Sequence, residues 1–245
     1  MRFKNKIALV TGAETGIGAK VVQTLLRDGC KVVGTNYLKK NLKNKKNLEY
    51  YHIDITKEEE WKKLKKYLEK KYKKIDILIN NAGIRASGTL QTTSLVLWNH
   101  VIVTNTTSIF LGCKYIFPLL KKTKHSSIVN LASVSSIRGI KNMLAYATSK
   151  SAILTFTSSL ALDLAKYKIR VNAVAPGAVD TEMVSSLKKE INSVKKYNQR
   201  MKEAHPIGRI GSPQEIANVI CFLASEESSF MTGITVPVDG GRSIR

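Results

Sequence analysis

The stretch Lys6-Ile7-Ala8-Leu9-Val10-Thr11-Gly12-Ala13-Glu14-Thr15-Gly16-Ile17-Gly18 decides the fold. Lys6–Val10 is a short apolar run, the length of a strand, and it ends at Thr11-Gly12. From Ile17 to Arg27 the apolar residues Val21, Val22, Leu25 and Leu26 gather on one side of a helix that Gly29 stops. The turn between them holds three glycines with distinct tasks. Gly12 lets the chain turn where a Cβ would clash, Gly16 lets the backbone approach a diphosphate, and Gly18 allows close contact between helix and strand. The first helical N–H groups then face an anion. A glycine triplet alone is a weak signal; placed between a strand and a helix at the head of an alternating chain, it is a strong one. The spacing is GxxxGxG, not GxGxxG.

Outward from this turn the alternation continues. Lys31–Gly34 and Leu48–Ile53 read as strands. Thr56 is placed to cap a helix with Glu58, Glu59 and Glu60 in its first turn and Trp61, Leu64, Leu68 and Tyr72 on its buried face. Ile75–Ile79 is a strand, Trp98 to about Leu120 a helical region, Ser127–Leu131 a strand, Ala145–Tyr167 a long helix and Ile169–Val174 a strand. Pro213–Ala224 is a helix introduced by Ser212, and Ile234–Val238 is the last strand. Strands alternating with helices predict one α/β domain over residues 1–245: a doubly wound, Rossmann-like parallel sheet with helices on both faces.

Composition bounds the function. The chain has 245 residues, 43% hydrophobic and 24% charged, which suits a folded globular protein. Cys30, Cys113 and Cys221 are far apart and odd in number, and His52, His100, His125 and His205 are scattered, so neither a disulfide scaffold nor a metal site is expected. With no signal-peptide core after Met1 and no run of about 18 apolar residues, the expected setting is the cytoplasm, without a membrane. Forty Lys and Arg against eighteen Asp and Glu give +22, and Lys39–Lys74 alone carries fourteen lysines and six acids. Such a field attracts nucleic acid non-specifically. Only nine of the basic residues are Arg, however, so a solvated lysine face is the preferred reading over a specific nucleic-acid site.

The segment TGAETGIG resembles the cofactor turn of the short-chain dehydrogenase/reductase family, as does Asn80-Asn81-Ala82-Gly83 after the fourth strand. The resemblance runs through Pro176-Gly177 to Val238-Asp239-Gly240-Gly241 and so covers essentially the whole chain. It implies NAD or NADP as cofactor, held by Gly12, Thr15, Gly16, Ile17 and Gly18, by Asn36 and Tyr37 after the second strand, and by Asp54 and Ile55 near the adenine. It also implies that Asn81, Ala82 and Gly83 line the adenosine side, with Asn81 steadying the central strands. Pro176, Gly177, Val179 and Thr181 would hold the nicotinamide end.

Tyr146 and Lys150 stand at i and i+4 on the long helix, on one face, and Ser133 lies thirteen residues before Tyr146, just past a strand end. A carbonyl being reduced needs a proton donor, and a phenol with an ordinary pKa of about 10 exchanges protons more freely beside an ammonium. Lys150 is therefore expected to lower the Tyr146 pKa and to hold the nicotinamide ribose, while the Ser133 hydroxyl holds the substrate oxygen. Ser135 and Ser136 are neighbouring alternatives. The family implies a fourth member, Asn105, whose amide would hold a water on a proton path from Lys150.

Neither usual selector of the nicotinamide is present. Asn36 stands where an Asp would exclude a 2′-phosphate, and Tyr37 and Thr15 stand where an Arg would bind one. A neutral Asn36 near Lys39 and Lys40 leans towards NADP, with both cofactors admissible. The segment from about Thr181 to Gly208 and onward to residue 210 is expected to cover the substrate, with Met183, Val184, Leu187, Ile191, Val194 and Tyr197 packing it down and Gly208 and Gly211 as hinges. Arg85, Ser135, Arg138 and Met143 are further candidates to face the pocket. Similar sequences include sugar and secondary-alcohol dehydrogenases and 3-oxoacyl-carrier-protein reductases. The stripes Ile153/Phe156/Leu160/Leu164 and Leu154/Thr157/Ala161/Ala165 on a helix with few charges predict a homotetramer, one facing the sheet and the other a second copy.

Overall fold

A computed structural model describes residues 1–37, 42–181 and 194–245, with the backbone alone for 194–198. Among the described residues seven strands form one sheet: β1 (Ile7–Val10), β2 (Lys31–Asn36), β3 (Leu48–His52), β4 (Ile77–Asn80), β5 (Ser126–Leu131), β6 (Ile169–Pro176) and β7 (Thr235–Val238). Their order is β3-β2-β1-β4-β5-β6-β7, and each neighbouring pair is parallel. The helices are α1 (Gly16–Arg27), α2 (Glu58–Tyr72), α3 (Leu95–Ile102), α4 (Ser108–Leu120), α5 (Leu144–Ala165), α6 (Val194–Glu203) and α7 (Pro213–Ala224).

The period-2 geometry of the central strands sorts their side chains into two cores. Ile7, Leu9, Leu78 and Ile128 face Trp61, Leu64 and Leu68 of α2, Ile116 and Leu119 of α4, and Ile153 and Leu164 of α5. Ala8, Val10, Ile77, Ile79 and Val129 face Val21, Val22 and Leu25 of α1 and Ile216, Ile220 and Leu223 of α7. Both faces being covered, β1 and β4 are buried along their whole length. The chain leaves β1 towards β2 on one side and reaches β4 on the other, so a crevice opens at the carboxyl ends of β1 and β4, where doubly wound sheets bind ligands.

Three local expectations are corrected. Thr56 does not cap α2: its N–H and hydroxyl both go to Asp54 Oδ1, at 2.9 and 2.6 Å, and the helix starts after Lys57 without a side-chain cap. The helical region after β4 begins at Leu95 and is broken by a π-helical turn at Val103–Thr107. On α5, Thr157 and Ala161 are buried within the protein along with Ile153 and Leu164, so the middle of the stripe expected to meet a second copy belongs to the inward face, while Ala165 at its end is exposed. What α5 turns outward is Ala152, Thr155, Ser158, Ser159 and an exposed Leu162. Thr157 is buried because its hydroxyl accepts from Asn130 Nδ2 (3.0 Å), while Asn130 Oδ1 accepts from Asn80 Nδ2 (2.8 Å). This polar ladder ties β4, β5 and α5 together.

Candidate active site

The turn after β1 is built for a close-lying anion. Gly12 and Gly16 have positive φ, +62° and +53°, and a Cβ on Gly18 would stand 2.0 Å from Gly12 O and 2.5 Å from Asn81 Nδ2. Thr15 offers α1 no side-chain cap and no acid sits in its first turn, so the helix presents bare N–H groups. These features fit a dinucleotide diphosphate. Asn81 Nδ2 donates to the carbonyls of Thr11 and Gly12, both at 2.9 Å, and the Thr11 hydroxyl accepts from the N–H groups of Asn81 and Ala82. The ends of β1 and β4 are thereby locked together.

On the adenosine side, Ala13 N–H donates to Thr35 O at 3.0 Å, which lays the glycine turn against the end of β2. Asn36 there is buried, and its carbonyl accepts from Ile53 N–H at 3.0 Å. Tyr37 is exposed and its ring stacks on His52. Asp54 uses one oxygen to hold Thr56. Ile55 O accepts from the Trp61 indole, so its backbone is tied to α2. One feature of this side gave no signal in sequence: Glu14 keeps one carboxylate oxygen buried without a hydrogen-bond partner. Burial, and then the Glu14 charge, raise the Tyr50 pKa. Lys39 and Lys40 lie outside the described residues.

Ser133, Tyr146, Lys150 and Asn105 converge at the carboxyl edge of β4 and β5. Ser133 caps a short 3-10 turn, its hydroxyl accepting from Ser135 N–H (3.2 Å) and its N–H donating to Ser136 Oγ (3.1 Å). Of the three neighbouring serines it is the Ser133 hydroxyl that acts on the Tyr146 phenol, favouring its charged form; Ser135 Oγ is buried without a partner. Lys150 is buried, and its Nζ donates to Leu131 O at 2.6 Å. A Cβ on Gly83 would lie 3.0 Å from Asn105 Oδ1 and 3.4 Å from Lys150 Nζ, so a side chain there would crowd both groups.

Electrostatics corrects one expectation and the hydrogen bonds correct another. Tyr146 is raised, not lowered: burial outweighs the Ser133 hydroxyl and the charge of Arg85, and Arg85, not Lys150, is the cation that favours its phenolate. Burial brings Lys150 itself down to about 8. The Asn105 amide, expected to hold a water, spends its hydrogens on Ile84 O (2.9 Å) and Ser149 Oγ (3.0 Å), while Oδ1 accepts from Ile84 N–H (2.8 Å). It braces the segment after Gly83 against α5, from within the π-helical turn; such turns recur at functional sites.

At the nicotinamide end Pro176 closes β6, and Gly177 admits no Cβ, which would stand 2.8 Å from His205 Nε2 and 2.9 Å from Asp239 Cα. Val179 pairs with Gly211, and Thr181 Oγ1 reaches Val179 O at 3.5 Å. The scattered histidines concealed one structural member. His205 is buried; its Nε2 accepts from Ala178 N–H (3.0 Å) and its Nδ1 donates to Met201 O (2.5 Å), which fixes the loop after β6. Most of the expected substrate cover, with Met183, Val184, Leu187 and Ile191, lies outside the described residues, as do the side chains of Val194 and Tyr197. Arg138, expected near the pocket, instead holds the carbonyls of Arg242 and Arg245 (2.7 and 2.5 Å). Met143 is buried just before α5. No helix among the described residues is long and apolar enough to cross a membrane.

Comparison with known proteins agrees with this geometry. A family model described as enoyl-(acyl carrier protein) reductase matches residues 12–243. The trans-4-hydroxycyclohexanecarboxylate dehydrogenase of Sinomonas cyclohexanicum is 35% identical over 256 residues, covering 99% of this chain and 94% of that protein. The 3-oxoacyl-[acyl-carrier-protein] reductase of Thermotoga maritima is 35% identical over 98% of this chain and 99% of its own length. The structure of Thermoplasma acidophilum aldohexose dehydrogenase superposes with a TM-score of 0.93 at 35% identity, covering 99% of this chain and 96% of that one. With its glycine cradle, its seven-stranded parallel sheet and this likeness over nearly its full length, the chain belongs to the short-chain dehydrogenase/reductase family of oxidoreductases, which act between alcohols and carbonyls.

Proposed function

We propose that this enzyme is an NAD(P)-dependent dehydrogenase/reductase of a secondary alcohol and its ketone, on a sugar or small alcohol. The observation that carries the reading is the convergence of Ser133, Tyr146 and buried Lys150, its Nζ held on Leu131 O, at the sheet edge that also holds the glycine cradle. When bound, the nicotinamide supplies or accepts the hydride. The Tyr146 hydroxyl donates the proton to the carbonyl oxygen in reduction and takes it back in oxidation, and its raised pKa keeps it protonated at neutral pH. The Ser133 hydroxyl holds that oxygen as charge grows on it. Lys150 holds the nicotinamide ribose and returns protons to the phenol. Asn105 fixes Ile84 and Ser149, and so the spacing of α5 from Gly83.

Gly12, Thr15, Gly16, Ile17 and Gly18 would hold the diphosphate, Asn36, Tyr37, Asp54 and Ile55 the adenosine, Asn81, Ala82 and Gly83 the central crevice, and Pro176, Gly177, Val179 and Thr181 the nicotinamide. Asn36 tolerates a 2′-phosphate and Glu14 opposes one, so the reading is acceptance of both cofactors, with NADP resting on Asn36. The protein works as one catalytic domain over residues 1–245, its substrate covered by residues 181–210, in the cytoplasm, without membrane or specific nucleic-acid partners, and as a homotetramer, or failing that a dimer, a reading supported by the uncharged outer residues Ala152, Thr155 and exposed Leu162 of α5. Ring-bearing alcohols lead the substrate list because two of the relatives are named for them. The second reading, reduction of 3-oxoacyl thioesters, is favoured by the Thermotoga relative.

The test is turnover of a panel holding a hexose, cyclohexanol and a 3-oxoacyl thioester with each nicotinamide, in the parent and in Tyr146→Phe. The variant should lose at least about 10²-fold in kcat while cofactor affinity stays within a few-fold. Turnover equal to the parent on the best substrate would refute the assignment.

A further inference from the structure

Arg85 follows the Asn81–Ile84 turn directly, and among the described residues only a weak contact holds its guanidinium. Elsewhere in this protein a half-buried arginine is satisfied: the Arg170 guanidinium donates to Leu223 O, Ser225 O, Met231 O and Ser228 Oγ. Arg85 is half-buried, and its one side-chain contact of this kind among the described residues is Met143 Sδ at 3.8 Å, a weak acceptor. No carboxylate pairs with it among the described residues.

The segment that carries it is tied to the start of α5. Gly88 N–H donates to Asn142 O (2.9 Å) and Leu144 N–H donates to Gly88 O (3.2 Å), so the Arg85–Gly88 segment is strapped across the first turn of α5. That turn carries Tyr146. The charge of Arg85 favours the Tyr146 phenolate, and among the described residues no acid acts on that phenol. A planar, weakly hydrated guanidinium held unpaired at the edge of a reaction site is matched by a carboxylate, which it grips with two parallel hydrogen bonds.

We propose that Arg85 binds a carboxylate on the substrate, and that the substrate class is therefore a hydroxy acid and its oxo acid, with the acid group on the Arg85 side of Ser133 and Tyr146. This rests on the alcohol–ketone reading above and narrows it. The hydride and proton transfers are unchanged; Arg85 fixes which end of the molecule faces away from them.

The test is equilibrium binding, measured by titration calorimetry at low salt with and without saturating NAD or NADP. The probes are cyclohexanecarboxylate and cyclohexanecarboxamide, equal in shape and different in charge. The parent should bind the carboxylate at least about tenfold more tightly than the amide, and added salt should narrow the gap. Arg85→Gln should bring the ratio to near unity, and Arg85→Lys should keep part of it. Equal binding of the two probes by the parent, binding of neither, or an unchanged ratio in a folded Arg85→Gln would each overturn the proposal. The measurement needs no turnover, and the Tyr146→Phe panel uses uncharged substrates, so the two readings fail separately.

Discussion

The adenosine half of the site and the substrate half are made of different material. The first is backbone: glycines whose missing Cβ atoms leave room, helix N–H groups left bare, and carbonyls of Thr11 and Gly12 pinned by Asn81. The second is side chain: a hydroxyl, a phenol, an ammonium and a guanidinium drawn from positions 133, 146, 150 and 85 and buried to different depths. A backbone site tolerates almost no added atom but asks little of electrostatics. A side-chain site tolerates changes of shape but stores its function in desolvated charge.

The largest effect follows from breaking the first kind of site. In Gly18→Ala the new Cβ meets Gly12 O at 2.0 Å and Gly12 C at 2.9 Å, both backbone. Nothing flexible can give way, so the cost is expected to reach about 3 kcal/mol, or a fall of about 6–12 °C in Tm for a chain of this size, together with loss of dinucleotide binding. Gly139 has nothing within 4 Å of its Cβ position, so Gly139→Ala is the control and should leave both unchanged. Calorimetry of the two variants side by side separates a packed glycine from a merely flexible one. Equal melting of both would break the contrast.

This difference also explains what could be read from sequence. The glycine turn, the strand–helix alternation and the Tyr146–Lys150 pair are local patterns, and the sheet places them as the patterns require. Asn105 fell at a π-helical turn that periodicity does not announce, and its amide is consumed by Ile84 and Ser149, contacts 21 and 44 residues away. His205 looked like one of four scattered histidines until the loop after β6 came against it. Thr56 was misassigned because Asp54, two residues back, competes for it. The α5 stripes failed because Thr157 is buried by a hydrogen bond from Asn130, which hydrophobicity does not count. The sign of the Tyr146 shift is set by burial, against the opposing pull of Arg85, sixty-one residues earlier in the chain.

An intermediate effect comes from the second kind of site. Lys150 is buried and its pKa is down from 10.5 to about 8. Below about pH 8 both folded and unfolded chains hold the proton, and the folded state carries the full cost of burying the ammonium. Between about 8 and 10.5 the folded state sheds the proton and the unfolded state keeps it, so parent stability rises with pH. Lys150→Met removes the titration. The stability of the parent relative to this variant should gain about 3 kcal/mol between pH 7 and 10.5, as measured by urea unfolding, while turnover is lost. A variant whose stability tracked the parent across this range would show that Lys150 is not desolvated.

The smallest effect lies where the two kinds of site meet, at the end of β2. Asn36 is a side chain at a backbone-made pocket, buried and neutral, and Glu14 in the glycine turn keeps a buried carboxylate oxygen without a partner. The turn is held to β2 by the Ala13–Thr35 hydrogen bond, so both groups border the place where a doubly wound fold sets the ribose 2′ position. Asn36→Asp adds a charge that repels a 2′-phosphate and accepts from a 2′-hydroxyl. Glu14→Gln removes a charge of the same sign. The ratio of NADPH to NADH affinity, read by nicotinamide fluorescence, should fall about tenfold in the first variant and rise by a few-fold in the second, the size expected of one screened charge near a phosphate. A parent that binds NADH alone would remove the basis for NADP use. A Glu14→Gln variant with an unmoved ratio would assign the 2′ choice to Asn36 and leave the Glu14 carboxylate as a purely structural cost.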